Sequence, residues 1–385
     1  MKLKRTYKYR MYPSFSQKQK LNKTFGCVRF LWNKNVETFN SYDKEDESKP
    51  IYKTSTEFRN EYDFLKEVSA SAIQQKEKDF KQYKSQKFNQ KRKVKIGKPS
   101  FKSKYYYNKF RLPNQKFNIV GGKIRLEKIG EVKFDNHREV PENAKLMSIT
   151  VSRDLVGDFY CSINFEYEKT IKKEKKEKVG IDLGISRLAT LSDGIAFENP
   201  RYFDNNQAEL GRLQKQLSRK KKGSNRRRLV KSKVTKIHQK TARQREWYLH
   251  NVSKFVAENY GEIGMEDLNV GGMMKGKRFS KSLADASMSK LKTFITYKSE
   301  AEGYKSNLLG RFEPSTIVCC KCSNKQEMKL SDRVFDCEKC NNVLDRDLNA
   351  SINIRNKTVG VNTETWTSSK SKPHALVKFS NLYEA

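Results

Sequence analysis

The 385 residues carry 81 Lys and Arg against 44 Asp and Glu, a formal charge of +37 and a pI near 9.8. Solubility needs far less, so a polyanionic partner is expected, nucleic acid first. A mean hydropathy of −0.89, no apolar run of about 18 residues and no secretory leader argue for a cytoplasmic chain rather than a membrane one. Seven cysteines are too few for a secreted disulfide scaffold, and four of them pair closely, which suits a metal in a reducing compartment. The length allows two or three domains.

In chain order, "KLKRTYKYRMYPS" (Lys2 to Ser14) alternates in the β manner and ends in a Pro turn. Gln17 to about Gln90 reads as mostly helical, with a breaker at "KEDESKP", Lys44 to Pro50. Short strands are expected from Gly97–Leu112 to "FYCSINFEYE", Phe159–Glu168. The run Lys169–Lys178 then reads as a solvated linker. "VGIDLGISRLATLSDG" (Val179 to Gly194) predicts two strands about a Gly turn, followed by an Asp193-Gly194 hairpin signal. Helical periodicity covers Asn205–Lys221, with Leu210, Leu213 and Leu217 on one face, and Val230–Asn259; "EIGMED" after it is β-like. There is no internal repeat.

The four paired cysteines carry the clearest chemistry. Cys319 and Cys322 form one CxxC, Cys337 and Cys340 another, and the 14-residue loop between them is the size of a zinc ribbon. Four thiolates leave no open position on Zn²⁺, so the role is structural. Ser323 and Asn341 follow the pairs where a turn with φ > 0 favours glycine. Cys320, between two ligands, could compete for the metal, while Cys27 and Cys161 read as buried small hydrophobes.

The acidic candidates are weaker one by one. Asp182 and Glu266 stand near the ends of apolar strands, where each could equally be a turn or helix cap. Asp345 and Asp347 open a helix with Leu348 and Ile352 four apart, so one of them should be its cap. Together they suggest carboxylates converging on one point, the ligand type that holds two Mg²⁺ ions for phosphodiester hydrolysis. "SRKKKGSNRRR" (Ser218 to Arg228) contributes Arg219, Lys220, Lys221, Lys222, Arg226, Arg227 and Arg228, a candidate phosphate-tracking surface or a solvated face. "KSKYYYNKFR" (Lys102 to Arg111) is either a base-stacking surface or a strand with Tyr106 buried.

These stretches resemble, in order, the blocks of the TnpB (OrfB) proteins of bacterial insertion sequences: "YKYRMYPSFSQKQKLNKTFGCVRFLWN", "GKPSFKSK", "VGIDLGISRLATLSDG", "LQKQLSRKKKGSNRR", "GMEDLNVGGM", "RFEPSTIVCCKC" and "CEKCNNVLDRDLNASINI". The resemblance implies an RNA-guided DNA endonuclease related to the type V CRISPR effectors. Its partners would be a guide RNA from its own element and double-stranded target DNA read beside a short motif. The implied fold is α/β and multidomain: a wedge β domain at 1–14 and 95–170, a helical recognition lobe at 15–94, a RuvC-like RNase H fold nuclease at 171–314 and 345–360, a zinc ribbon at 315–344 and a tail at 361–385. Carried over by motif, Asp182 of "IDLG", Glu266 of "MEDL" and Asp347 of "DRDLN" are the catalytic, Mg²⁺-binding acids, and Asp345 a cap or supporting residue. Tyr52 of "PIYK" and Gln74 of "SAIQQ" fall where the family reads the adjacent motif. Departures are Met288 in "DASMSK", where the family often has Trp, and the missing ribbon glycines.

Other chemistries fit less well. Four histidines, His137, His238, His250 and His374, are nowhere closely spaced, which rules against a Tyr transposase with a His-x-His metal pair. The order Asp, Glu, Asp is not that of an Asp-Asp-Glu transposase. A nuclease-inactive RNA-guided DNA-binding protein or transposition regulator is the serious alternative, since binding needs only charge, guide and duplex.

Overall fold

The opening alternation forms β1, Lys2–Tyr12, whose side chains face solvent and core in turn. The computed structural model describes residues 1–41, 50–89, 91, 94–171, 177–276, 279–329, 331–360, 375–377 and 379. Most of the expected breaker at 44–50 and half of the expected linker at 169–178 lie outside the described residues, and Glu177 and Lys178 stand in a strand rather than a linker. After Pro13, Ser14 caps α1, Phe15–Asn40: its hydroxyl accepts from the Gln17 N–H while the Gln17 side chain accepts from the Ser14 N–H. Thr54 and Glu57 start α2, Ser55–Glu61, in the same way, and α3 spans Ala70–Lys87. The strands β2 (Lys109–Pro113), β3 (Phe117–Val120), β4 (Lys123–Leu126), β5 (Gly130–Phe134), β6 (Lys145–Arg153) and β7 (Phe159–Glu168) follow. They join β1 in a sheet ordered β2-β6-β7-β1-β5-β4-β3, antiparallel throughout. Leu21, Phe25, Val28 and Leu31 of α1 share one core with Tyr9, Met11, Ile149, Val151, Ile163 and Phe165, as do Cys27 and Cys161. Residues Met1–Thr170 are thus one compact unit.

The strand expectation for Lys102–Arg111 fails over its first half. Tyr105 and Tyr106 sit in a turn, Tyr106 being 73% exposed, and β2 begins only at Lys109. Tyr107 is the ring held in place: its hydroxyl accepts from Lys76 Nζ at 2.7 Å, and the ammonium groups of Lys102 and Lys109 lie 5.6 Å from its centroid.

Residues Ile171–Ala385 form the second unit. It contains β8 (Glu177–Asp182), β9 (Arg187–Leu191), β10 (Ile195–Glu198), α4 (Tyr202–Asn205), α5 (Gln207–Ser218), α6 (Asn225–Asn259), β11 (Tyr260–Glu266), α7 (Val270–Met273), α8 (Ser280–Ala286), α9 (Met288–Ala301) and β12 (Ser306–Leu309). Then come β13 (Val334–Asp336), β14 (Val343–Asp345), α10 (Arg346–Val359) and β15 (Ala375–Val377). The main sheet runs β12-β11-β8-β9-β10-β15, with β12, β11 and β8 parallel to one another. β13 and β14 pair separately. Part of the expected tail therefore enters the sheet: β15 pairs with β10, and Phe379 stacks on Phe197 at 6.0 Å.

Strand alternation divides this sheet into two faces. Val179, Ile181, Ile263 and Met265 bury against Val252 and Val256 of α6 and Leu291 and Ile295 of α9. The intervening positions, Gly180 and Gly264, are register partners on β8 and β11, and their empty face receives α10. A Cβ on Gly180 would lie 2.0 Å from the Ser351 carbonyl oxygen and 2.4 Å from the Arg355 nitrogen; one on Gly264 would lie 1.9 Å from Thr358 Oγ1 and 3.2 Å from the Ile354 oxygen. The helix can lie on the strands only because both residues lack a side chain.

Candidate functional site

The same alternation that turns the two glycines toward α10 turns Asp182 and Glu266 that way, two residues further on and at the carboxyl ends of β8 and β11. Gly180 lies against Ser351, one turn into α10 from Asp347, so the first turn of the helix meets the strand ends. The electrostatics register the meeting. Asp182, half-buried, has its carboxyl held well above the usual carboxylate range, first by burial and then by Glu266 and Asp347 facing it; Arg346 pulls the other way and Asp345 adds to the rise. Glu266 accepts from the hydroxyl of buried Ser315.

The two neighbouring aspartates separate into distinct tasks. Asp345 Oδ1 accepts from the N–H groups of Asp347 and Leu348 at 3.1 and 3.2 Å, making it the N-cap of α10. Both its oxygens are also gripped by Arg187, at 2.8 and 2.9 Å, a planar two-point clamp. Asp347 is held more loosely: it accepts from the Arg346 guanidinium at 3.4 Å, and Arg187 lies 3.6 Å away. Asp345 is thus the cap of α10, one of the two roles expected for it.

The four cysteines form the second centre. Cys319 and Cys340 sulfurs are 3.6 Å apart, Cys322 and Cys337 3.5 Å, and all four lie within 4.8 Å of one another. Tetrahedral Zn²⁺ with bonds of about 2.3 Å sets its sulfurs about 3.8 Å apart, so the set fits structural zinc. The two knuckles repeat one design. The Cys319 N–H donates to the Asn324 carbonyl and the Ser323 N–H to the Cys319 carbonyl; Cys337, Asn342 and Asn341 do the same. Ser323 and Asn341 both adopt the left-handed conformation, at φ 60° and 53°, so the missing glycines leave the turns intact at some conformational cost. Burial opposes the Cys337 thiolate, but the N–H groups of Cys340 and Lys339 and the neighbouring sulfurs outweigh it and bring its pKa to about 7.

Cys320 does not compete for the metal. It is buried with Leu344, Leu348 and Ile352 against α10, and burial pushes its thiol to about 12. Its N–H donates to Asn349 Oδ1 at 2.9 Å, while Asn349 and Asn353 both donate to the Val318 carbonyl at 2.7 Å and Asn353 also reaches the Ser315 carbonyl at 2.8 Å. Two buried asparagines one turn apart on α10 thus fasten the segment Ser315–Cys320, which leads into the ribbon. Sequence reading missed Arg187, Ser315 and Asn353. The available signals were the shared Gly-x-acid pattern of "GID" and "GME", and an Asn at i and i+4 in "NASIN".

The basic run forms the turn from α5 into α6, which starts five residues earlier than expected because Ser224 accepts from the Arg227 N–H. Arg219, Lys220, Lys221, Lys222, Arg226 and Arg228 are exposed. Arg227 is not available in the same way: its guanidinium donates to the carbonyls of Leu217 and Lys220 and closes the end of α5. In the first unit, Gln74 is exposed on α3, while Tyr52 is half-buried, its ring 5.7 Å from Phe80 and 3.4 Å from the Lys84 ammonium.

A solved Cas12f1–sgRNA–target DNA complex shares the fold, with a TM-score of 0.54 at 14% identity over 93% of this chain and 99% of that one. The architecture is therefore that of an α/β Cas12f1-like protein. Family models match residues 162–277 (the IS605 OrfB model, "Probable transposase"), 289–354 ("Cas12f1-like, TNB domain") and 1–45 ("Helix-turn-helix domain"); in the last, the described residues form β1 and the single long helix α1. A Streptomyces pristinaespiralis protein named "Putative RNA-guided DNA endonuclease" is 31% identical over 361 residues, covering 91% of this chain and 89% of its own. Its Escherichia coli K12 counterpart InsQ is 30% identical over 379 residues, covering 92% of each. A TnpB-like protein of Methanocaldococcus jannaschii is 27% identical over 275 residues, 66% of this chain. The chain belongs to the TnpB (OrfB) family.

Proposed function

We infer that the protein is the RNA-guided DNA endonuclease of a transposable element. It would cut double-stranded DNA after pairing with a guide RNA from its own element and after recognition of a short adjacent motif, acting in the cytoplasm. The observation that carries this is the convergence of Asp182, Glu266 and Asp347 at two strand ends and a helix start, where α10 seats on a glycine pair. A repressor has no use for it: like charges gathered in a half-buried place cost stability, and a binding surface does not need them. Hard oxygen donors that Arg346 and Arg187 offset only in part suit Mg²⁺, two ions being expected, held by these three residues. When bound, Mg²⁺ supplies an activated water and neutralises the leaving oxygen.

The chain's own residues do the rest. Arg187 clamps Asp345 onto the helix cap, keeping that carboxylate out of the ligand set. Ser315 orients Glu266. Arg346 brings positive charge beside Asp182 and Asp347, where a phosphodiester would approach. The exposed cations of the α5–α6 turn would track nucleic-acid backbone, and Tyr52 and Gln74 would read the adjacent motif. Residues 171–314 and 345–360 act as a RuvC-like nuclease interrupted by the ribbon at 315–344; 1–14 with 95–170 act as the wedge and 15–94 as the recognition lobe. The test is to sequence RNA that copurifies from cells carrying the native locus, then challenge the complex with plasmids bearing the matching target and a randomised flank. Guide-dependent cutting beside one enriched motif is expected; cutting without RNA, or with any guide, overturns the reading.

A further inference from the structure

Phe312 is 95% exposed, more than any other large apolar side chain among the described residues. Single exposed hydrophobics are ordinary; a tightly braced one beside a charged site is not. Phe312 is a central residue of the turn Gly310–Glu313, closed by the Glu313 N–H on the Gly310 carbonyl at 3.0 Å. The other central residue, Arg311, donates to Asp267 at 2.9 Å, and Asp267 is also held by Lys292 at 3.0 Å. On the far side, the Pro314 carbonyl accepts from Lys357 at 2.6 Å, the Ser315 carbonyl accepts from Asn353, and the Ser315 hydroxyl donates to Glu266. Both ends of the turn are thus fastened to residues 266 and 267. Phe312 and Ser315 are three positions apart, so their Cα atoms are at most about 11 Å apart.

We propose that Phe312 is a stacking platform for an unpaired base of single-stranded DNA, holding the strand to be cut across the Asp182, Glu266 and Asp347 site. A paired base already has both faces covered, so only an unpaired one can use the ring. An aromatic face accepts any base, which suits a nuclease whose sequence choice is made by a guide. Arg311, Lys292 and Lys357 stand around the turn with Asp267 and Glu313, a charged setting with cations in excess that suits a phosphate-bearing ligand better than an apolar protein partner. The proposal rests on the nuclease reading above and adds to it the path of the strand.

The experiment uses the purified complex with its guide RNA and a target carrying single 2-aminopurines along each unpaired position. Stacking quenches the fluorescence of one or two adjacent probes. In an Asp182→Ala background, so that no cutting intervenes, quenching is lost with Phe312→Ala, kept with Phe312→Tyr and not restored by Phe312→Leu. With Asp182 intact, Phe312→Ala slows single-turnover cleavage roughly tenfold while target affinity stays within about twofold, and Phe312→Tyr cuts near the wild-type rate. Unchanged quenching in Phe312→Ala, full rescue by Phe312→Leu, or a change in the mass of the complex in place of an optical one overturns the proposal. A wild type that never cuts overturns the nuclease reading alone, because the fluorescence still decides for or against Phe312.

Discussion

The cysteine centre takes all its ligands from a short stretch, Cys319 to Cys340, whereas the carboxylate site draws on positions 182, 266 and 347. Each cysteine pair is set by the local geometry of its own knuckle, with the turn at Ser323 or Asn341 doing the work. The carboxylates meet only after two parallel strands align in register and a helix lies across their glycines. One site is therefore tolerant of distant change and sensitive to its own turns; the other depends on packing far from its ligands. The two are joined through Ser315–Cys320, which Asn349 and Asn353 tie to the helix carrying Asp347.

The largest expected effect separates the two aspartates. Asp347→Ala eliminates Mg²⁺-dependent cleavage of supercoiled target while guide and target binding persist. Asp345→Ala cuts, but loses both the cap and the Arg187 clamp, lowering stability by about 2–4 kcal/mol. Thermal melts and plasmid assays at matched folding check both, and a dead Asp345→Ala beside an active Asp347→Ala would reverse the assignment.

Next in size is the ribbon. Cys322→Ser releases zinc, read by elemental analysis, and loosens Ser315–Cys320, so cleavage falls while RNA binding stays largely intact. A wild type without bound zinc breaks the comparison at its root.

Gly180→Ala tests the packing route. Its Cβ meets backbone at 2.0 Å, which the helix can relieve only by moving, so a loss above about 3 kcal/mol is expected, with cleavage lost alongside. Gly264→Ala meets mainly the Thr358 hydroxyl, which can rotate, and is the milder change. Equal effects would mean that α10 is not seated as described.

A smaller effect concerns pH in the absence of divalent ions. The Asp182 pKa is raised in the folded chain, so the folded state holds a proton that the unfolded chain releases. By linkage, stability falls as pH climbs from the unfolded value, about 3.9, to the folded one. Asp182→Asn has no charge to bury and should melt higher at neutral pH, by about 2–4 °C per kcal/mol relieved, with the advantage fading in acid. A mutant that melts lower at pH 7 contradicts the crowding of carboxylates.

Smallest is the charge at the α5–α6 turn. Removing Arg226 and Arg228 should reduce the slope of log K for RNA against log[salt] by about 0.7–0.9 per lost phosphate contact. Arg227→Ala should instead loosen the end of α5, detectable by hydrogen exchange there, because its guanidinium is bound to Leu217 and Lys220.

Sequence alone determined what depends on neighbours along the chain. The alternation of β1, the capping pair Ser14 and Gln17, and the twin CxxC spacing each act within a few residues, where periodicity and turn geometry leave little freedom. The candidate acids were legible as residue types at strand ends, and family motifs chose among them. Tertiary structure decided the rest. Asp345 and Asp347 are equally acidic and equally placed in the string; only Arg187, from another strand, and the free N–H groups of α10 make one the cap. Cys320 lies between two ligands in sequence yet faces Leu348 and Ile352 of a helix that begins 26 positions later. Gly180 and Gly264 look like ordinary strand glycines until their register puts both beneath the same helix. Spacing constrains bonds within one element, but which side chain meets which across elements is fixed by packing density and strand register, and neither is written locally.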